Sequence, residues 1–108
     1  MSELAKKKCV PCEGSVPPLQ EPQVESYLAQ LPGWSLAGKW ITKEFSFEDF
    51  AAAMKFVDKV AVIAEAEGHH PDIHIHYNRV RFDIWTHAID GLSENDFILA
   101  AKIDAASG

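Results

Sequence analysis

The chain has 108 residues, with ten Lys and Arg against sixteen Asp and Glu, a formal net charge of −6. That length corresponds to a single domain, and a composition of 47% hydrophobic and 24% charged residues excludes global disorder and low-complexity architectures. The acidic balance, which becomes −7 over residues 21–108, argues against a phosphate-backbone binder, and no apolar run approaches the ~20 residues of a membrane span.

The first stretch, MSELAKKKCVPCEG, has no apolar segment after its lysines and therefore does not read as a secretory signal. A cytoplasmic location follows as the expectation, with Cys9 and Cys12 reduced. Their CVPC spacing supplies half of a tetrahedral zinc site and lacks the strand-to-helix setting of a redox CxxC. Residues 1–20 are expected to be a flexible tail without chemistry, and residues 21–108 to form the one domain.

Pro22 at a first helical position, followed by Val24, Tyr27, Leu28 and Leu31, predicts an amphipathic helix stopped by Pro32-Gly33. Trp34–Leu36 and Trp40–Phe45 flank Ala37-Gly38 and predict a hairpin. Ser46 with Asp49 forms a capping-box-like start for a helix that runs to Glu67 and ends at Gly68. On that helix Phe47, Phe50, Met54, Val57, Ala61 and Ala64 form one stripe, which Phe56, Val60 and Ile63 widen to about half the circumference. So broad an arc calls for cover on more than one side, from the chain's own sheet and from a neighbouring helix or a second subunit. Association would also supplement the limited burial open to so small a monomer.

From Ile73 the period becomes two: Ile73, Ile75 and Tyr77 alternate with His74, His76 and Asn78. After a turn at Asn78-Arg79, Val80, Phe82, Ile84 and Thr86 alternate with Arg81, Asp83, Trp85 and His87, giving a second hairpin with one apolar face. Asp90-Gly91 turns the chain, and Ser93 caps a last helix with Leu99, Ile103 and Ala106 inward and Asp96 in its first turn. The order is α-β-β-α-β-β-α, an α+β domain whose four-stranded, mostly antiparallel sheet carries its helices on one face.

Four of the five histidines fall within eight positions, at His69, His70, His74 and His76. His74 and His76 share a strand face, as an H-x-H metal pair would, but polar residues are also the ordinary filler of an open sheet face. His69 and His70 lie between Gly68 and Pro71, an irregular junction where side chains can be aimed into a cleft. One histidine there is explained by favourable interaction with the last helical carbonyls. Two are explained less well.

The series Glu65-Ala66-Glu67-Gly68-His69-His70-Pro71-Asp72, Tyr77-Asn78-Arg79-Val80, Thr86-His87 and Gly91-Leu92-Ser93-Glu94-Asn95-Asp96 is long and irregularly spaced. It resembles the pterin-4a-carbinolamine dehydratase family, whose members are also described as dimerisation cofactors of a homeodomain transcription factor, over about residues 21–104. The resemblance implies a cofactor-free dehydratase that converts 4a-hydroxytetrahydropterin, released by aromatic amino acid hydroxylases, to quinonoid dihydropterin. It implies homodimers or homotetramers, His69, His70 and His87 as catalytic residues, and Glu65, Trp85, Thr86 and Asp96 around the pterin, with no metal. Where the family motif often carries Trp two residues after the proline, this chain has Ile73, so an aromatic wall is expected to be missing there. General acid–base chemistry suits histidine, whose unperturbed pKa of ~6.5 lets it donate and accept protons near neutrality. A non-catalytic dimerisation or coactivator module and a metal-binding protein using His74 and His76 are the rival readings.

Overall fold

The computed structural model describes residues 3–9 and 17–107, so Cys12 lies outside the described residues. The elements come in the expected order: α1 (Glu21–Leu28), β1 (Ser35–Ala37), β2 (Trp40–Ser46), α2 (Phe50–Glu67), β3 (Asp72–His76), β4 (Arg79–Ile84) and α3 (Glu94–Ser107), with short 3-10 turns at Glu3–Lys6 and His87–Ile89. The strands form one sheet in the order β1-β2-β4-β3, and each neighbouring pair is antiparallel.

Residues opposite one another on antiparallel strands share a face. The register Ile41↔Ile84, Phe45↔Val80, Ile73↔Phe82 and Ile75↔Val80 therefore gathers the apolar side chains on one side of the sheet. Phe56 and Val60 of α2 and Phe97, Leu99 and Ile103 of α3 complete a single buried core there. The opposite face carries Thr42, Glu44, His74, His76, Arg79 and Arg81, as alternation predicts. Asp83 on that face is nonetheless buried. It accepts a hydrogen bond from Thr42 Oγ1 at 2.7 Å, and His74 Nε2 and Arg81 Nε lie 3.0 Å and 3.3 Å from its oxygens.

Three local features differ from the sequence reading. Ser46 ends β2, opposite Arg79, and so is not available as a helix cap; Asp49 takes that role, its Oδ1 accepting from the Ala52 N–H at 2.8 Å. The β3–β4 turn falls on Tyr77-Asn78, with Tyr77 at φ +53, and Arg79 is already in the strand. Asn78 is held by its Nδ2 donating to the Phe47 carbonyl at 3.0 Å, which locks the turn against the β2–α2 connection. On α2 the buried line is Ala53, Phe56, Val60 and Ala64, while Phe50 and Val62 are 49% and 70% exposed. Part of the broad apolar arc is thus covered within one subunit and part is left outside.

The domain boundary expected at residue 20 is not where contacts stop. Leu4 is buried in the core, and Lys102 Nζ donates to the Ala5 carbonyl at 2.8 Å. Further along, the Leu19 N–H donates to the Leu92 carbonyl at 2.8 Å. Gly91 permits that close approach, since a Cβ there would sit 2.8 Å from Pro18 Cβ.

Candidate active site

Two irregular junctions, α2–β3 and β4–α3, meet at one end of the sheet. At the first, Gly68 takes the left-handed conformation at φ +67, ending α2 as only a Cβ-free residue does at little cost. The His69 N–H still reaches the Ala64 carbonyl at 3.2 Å, so His69 leaves the helix with a defined orientation. At the second, the Thr86 N–H donates to the Gly91 carbonyl at 2.8 Å and pinches off the loop that carries His87.

A cavity of about 520 Å³ lies between these junctions. His69, His70, Pro71, Trp85, Thr86 and His87 line it, joined by Cys9, Glu67 and Asn95. Of the predicted site residues, the three histidines, Trp85 and Thr86 are brought together here. Glu65 and Asp96 are not on the wall. They stand behind the histidines: His69 Nε2 is 2.6 Å from Asp96 Oδ1, and His70 Nε2 is hydrogen-bonded to Glu65 Oε2.

Asp96 has no exposed surface, and burying a carboxylate is costly unless donors surround it. Its Oδ2 accepts from the Ser93 N–H at 2.8 Å and from Thr86 Oγ1 at 2.9 Å, and its Oδ1 faces His69. Because the Thr86 hydroxyl hydrogen goes to Asp96, the 2.8 Å contact between Thr86 and Ser93 is donated by Ser93 Oγ. Asp96 therefore both holds the Ser93 N–H at the start of α3 and anchors a cavity histidine. Carboxylates that accept from the Nε2–H of His69 and His70 leave Nδ1 as the basic nitrogen of each neutral ring. His87 is placed differently, its ring centroid 4.0 Å from that of Trp85.

Ile73 lies opposite Phe82 and packs against the core, outside the cavity wall; Trp85 is the aromatic surface of the site. His74 is engaged by Asp83 on the far face of the sheet and His76 is exposed on that face, so neither reaches the cavity. Among the described residues no three His, Cys, Asp or Glu side chains converge as a metal site, and no helix is long and apolar enough to cross a membrane.

Sequence reasoning missed Cys9, Glu67 and Asn95. Cys9 donates its N–H to Glu67 Oε1 at 2.8 Å, and its Sγ is 3.6 Å from the Asn95 carbonyl oxygen. Nothing in the local pattern near Cys9 announces that contact, which spans 58 positions. Beside it, Glu94 accepts from Lys7 Nζ at 2.8 Å and from the Tyr27 hydroxyl at 2.9 Å. The Lys7 ammonium holds the Glu94 carboxyl below its ordinary value, while burial and the neighbouring carboxylate push the Tyr27 phenol up.

The family described as pterin 4 alpha carbinolamine dehydratase matches residues 17–106. A protein of Nitrosospira multiformis named "Putative pterin-4-alpha-carbinolamine dehydratase" is 52% identical over 104 residues, covering 96% of this chain and 92% of its own. A relative of the same name from Rubrobacter xylanophilus is 47% identical over 105 residues, covering 96% and 98%. Among solved structures, a transcriptional coactivator/pterin dehydratase from Brucella melitensis superposes with a TM-score of 0.81 at 35% identity, covering 84% of this chain and 99% of that one. A pterin dehydratase-like protein identified as a RuBisCO assembly factor in the alpha-carboxysome has a TM-score of 0.62 at 28% identity, covering 70% and 90%. With the family match spanning most of the domain, and with the paired histidines and their carboxylates set at one cavity, the chain belongs to the pterin-4-alpha-carbinolamine dehydratase family.

Proposed function

We propose that the protein dehydrates 4a-hydroxytetrahydropterin to quinonoid dihydropterin and water by histidine general acid–base catalysis. The observation that carries this reading is the convergence of His69, His70 and His87 on one cavity, two of them backed by carboxylates. In the reaction a proton goes to the C4a hydroxyl oxygen, the C4a–O bond breaks and water leaves. The proton on N5 is removed and the C4a=N5 double bond forms. Both transfers are within reach of imidazoles whose Nδ1 exchanges protons while Nε2 is held by a carboxylate, and no covalent intermediate is needed. Trp85 offers a ring surface against which a flat pterin stacks. The natural setting of this step is the regeneration of tetrahydropterin oxidised by an aromatic amino acid hydroxylase, in a cytoplasmic homo-oligomer.

The test is the dehydration rate of a synthetic 4a-carbinolamine, followed by absorbance. Wild type accelerates it, and replacing His69, His70 or His87 by Gln lowers the rate, by ~10²–10⁴-fold for the principal acid or base. A wild-type protein that leaves the spontaneous rate unchanged refutes the proposal. The coactivator and assembly-factor neighbours support a second reading, a protein-binding module in which these histidines are expendable; that same absence of acceleration would favour it.

A further inference from the structure

The local pattern of residues 1–20 suggests no role, yet the described part of that stretch reaches the cavity. The Glu3–Lys6 turn packs on α3, with Leu4 buried and Lys102 Nζ donating to the Ala5 carbonyl at 2.8 Å. Lys7 is tied to Glu94 at 2.8 Å, one position before the cavity residue Asn95. Cys9 then lies on the cavity wall itself, between Glu67 at the end of α2 and Asn95 at the start of α3. The Glu67 carboxylate is almost fully covered, its side chain 8% exposed, with Lys102 Nζ 3.9 Å from its second oxygen. A buried carboxylate requires such partners, and the Cys9 N–H is one of them. The segment therefore closes the cavity on one side and also satisfies the residue that precedes Gly68 and His69.

This segment lies outside residues 17–106, the extent of the family match, whereas the alignment to the Nitrosospira relative spans 96% of the chain and so extends through most of it. A wall added to the family cavity in this way restricts which pterins enter and how they sit, rather than supplying a proton. We propose that residues 3–9 are a substrate-positioning strap of the active site, with Cys9 contacting the bound pterin. The inference rests on the pterin reading above. The thiol acts here through its volume and its place on the wall.

Two measurements test it on the full-length protein. In a Cys12→Ser background, alkylation of Cys9 by iodoacetamide should slow at least tenfold when 7,8-dihydropterin saturates the site. Separately, Cys9→Trp should raise KM for the carbinolamine about tenfold with kcat within twofold. If dihydropterin quenches tryptophan fluorescence yet the alkylation rate is unchanged, the strap proposal is overturned and the pterin reading stands. If wild type neither binds dihydropterin nor turns over the carbinolamine, the pterin reading falls, and the strap proposal with it. The alkylation arm keeps Cys9 itself native, so it decides between these outcomes even where the tryptophan variant folds poorly.

Discussion

His69 Nε2 and Asp96 Oδ1 are 2.6 Å apart, and the carboxylate is fully buried while the imidazole faces the cavity. The pair joins the end of α2 to the first turn of α3, so the orientation of a proposed catalytic group depends on how Asp96 is held at the start of α3. Asp96→Asn keeps the shape and removes the charge. It should lower the dehydration rate about 10–100-fold by releasing His69 from its orienting partner. The amide also turns a donor toward Thr86 or Ser93, so stability should fall by about 1–3 kcal/mol in urea titration. A rate within twofold of wild type would show that His69 needs no such anchor.

His74 and His76 sit on the far face of the sheet, and His74 is engaged by Asp83 at 3.0 Å. His74→Ala and His76→Ala should keep the dehydration rate within about twofold. The His74 variant should lose no more than about 1 kcal/mol, because the buried Asp83 keeps Thr42 and Arg81 as partners. Exhaustive chelation should leave the wild-type rate unchanged, because proton transfer alone suffices. Damage confined to these two variants, or a rate abolished by chelation, would move the chemistry to the strand face.

Leu4 is only 3% exposed and packs into the same core as Phe97 and Leu99. Leu4→Ala should cost about 2 kcal/mol, the low end for a buried leucine, because a terminal segment can partly close the gap it leaves. A change below about 0.5 kcal/mol in urea unfolding would mean the segment adds nothing to the core.

The Lys7–Glu94 contact should loosen in acid. The folded-state carboxyl of Glu94 titrates below its ordinary value because the Lys7 ammonium favours the ionised form. Its contribution is therefore complete above that ordinary value of 4.5 and is lost as pH falls through the lower folded value. Protection factors for amide hydrogen exchange over residues 3–9, taken against the intrinsic rate at each pH, should fall in that window in wild type, and Glu94→Gln should show the reduced protection already at neutral pH. Identical exchange in the two proteins at neutral pH would remove Glu94 as the anchor.

Phe50 of the α2 apolar arc is 49% exposed, and Val62, outside that arc on the same helix, is 70% exposed. Sedimentation should show a dimer or tetramer at micromolar concentration, and Val62→Glu should weaken any assembly that uses this helix. A monomer at high micromolar concentration would show that these side chains are simply solvated.

Much of this protein is written in local pattern. Helix periodicity around Val24 and Phe56, strand alternation from Ile73 and from Val80, and the stop at Gly68 each depend on neighbours within a few residues. The α+β order is therefore legible without coordinates. The histidine pair at 69–70 stands out for the same reason, because an irregular junction after Gly68 is a local event. Other features depend on distant partners. Ser46 has the right spacing for a cap, but pairing with Arg79 draws it into the sheet and leaves Asp49 to cap α2. Asp96 reads as a pocket acid, and only packing of α3 against α2 turns it inward to hold His69. Cys9 reads as tail; only the docking of Leu4 on α3 carries it to the cavity, across 58 positions from Glu67. Periodicity encodes which face of an element is apolar. It carries no signal for which buried polar groups will find one another, since that is decided by desolvation and hydrogen bonding once the elements have packed.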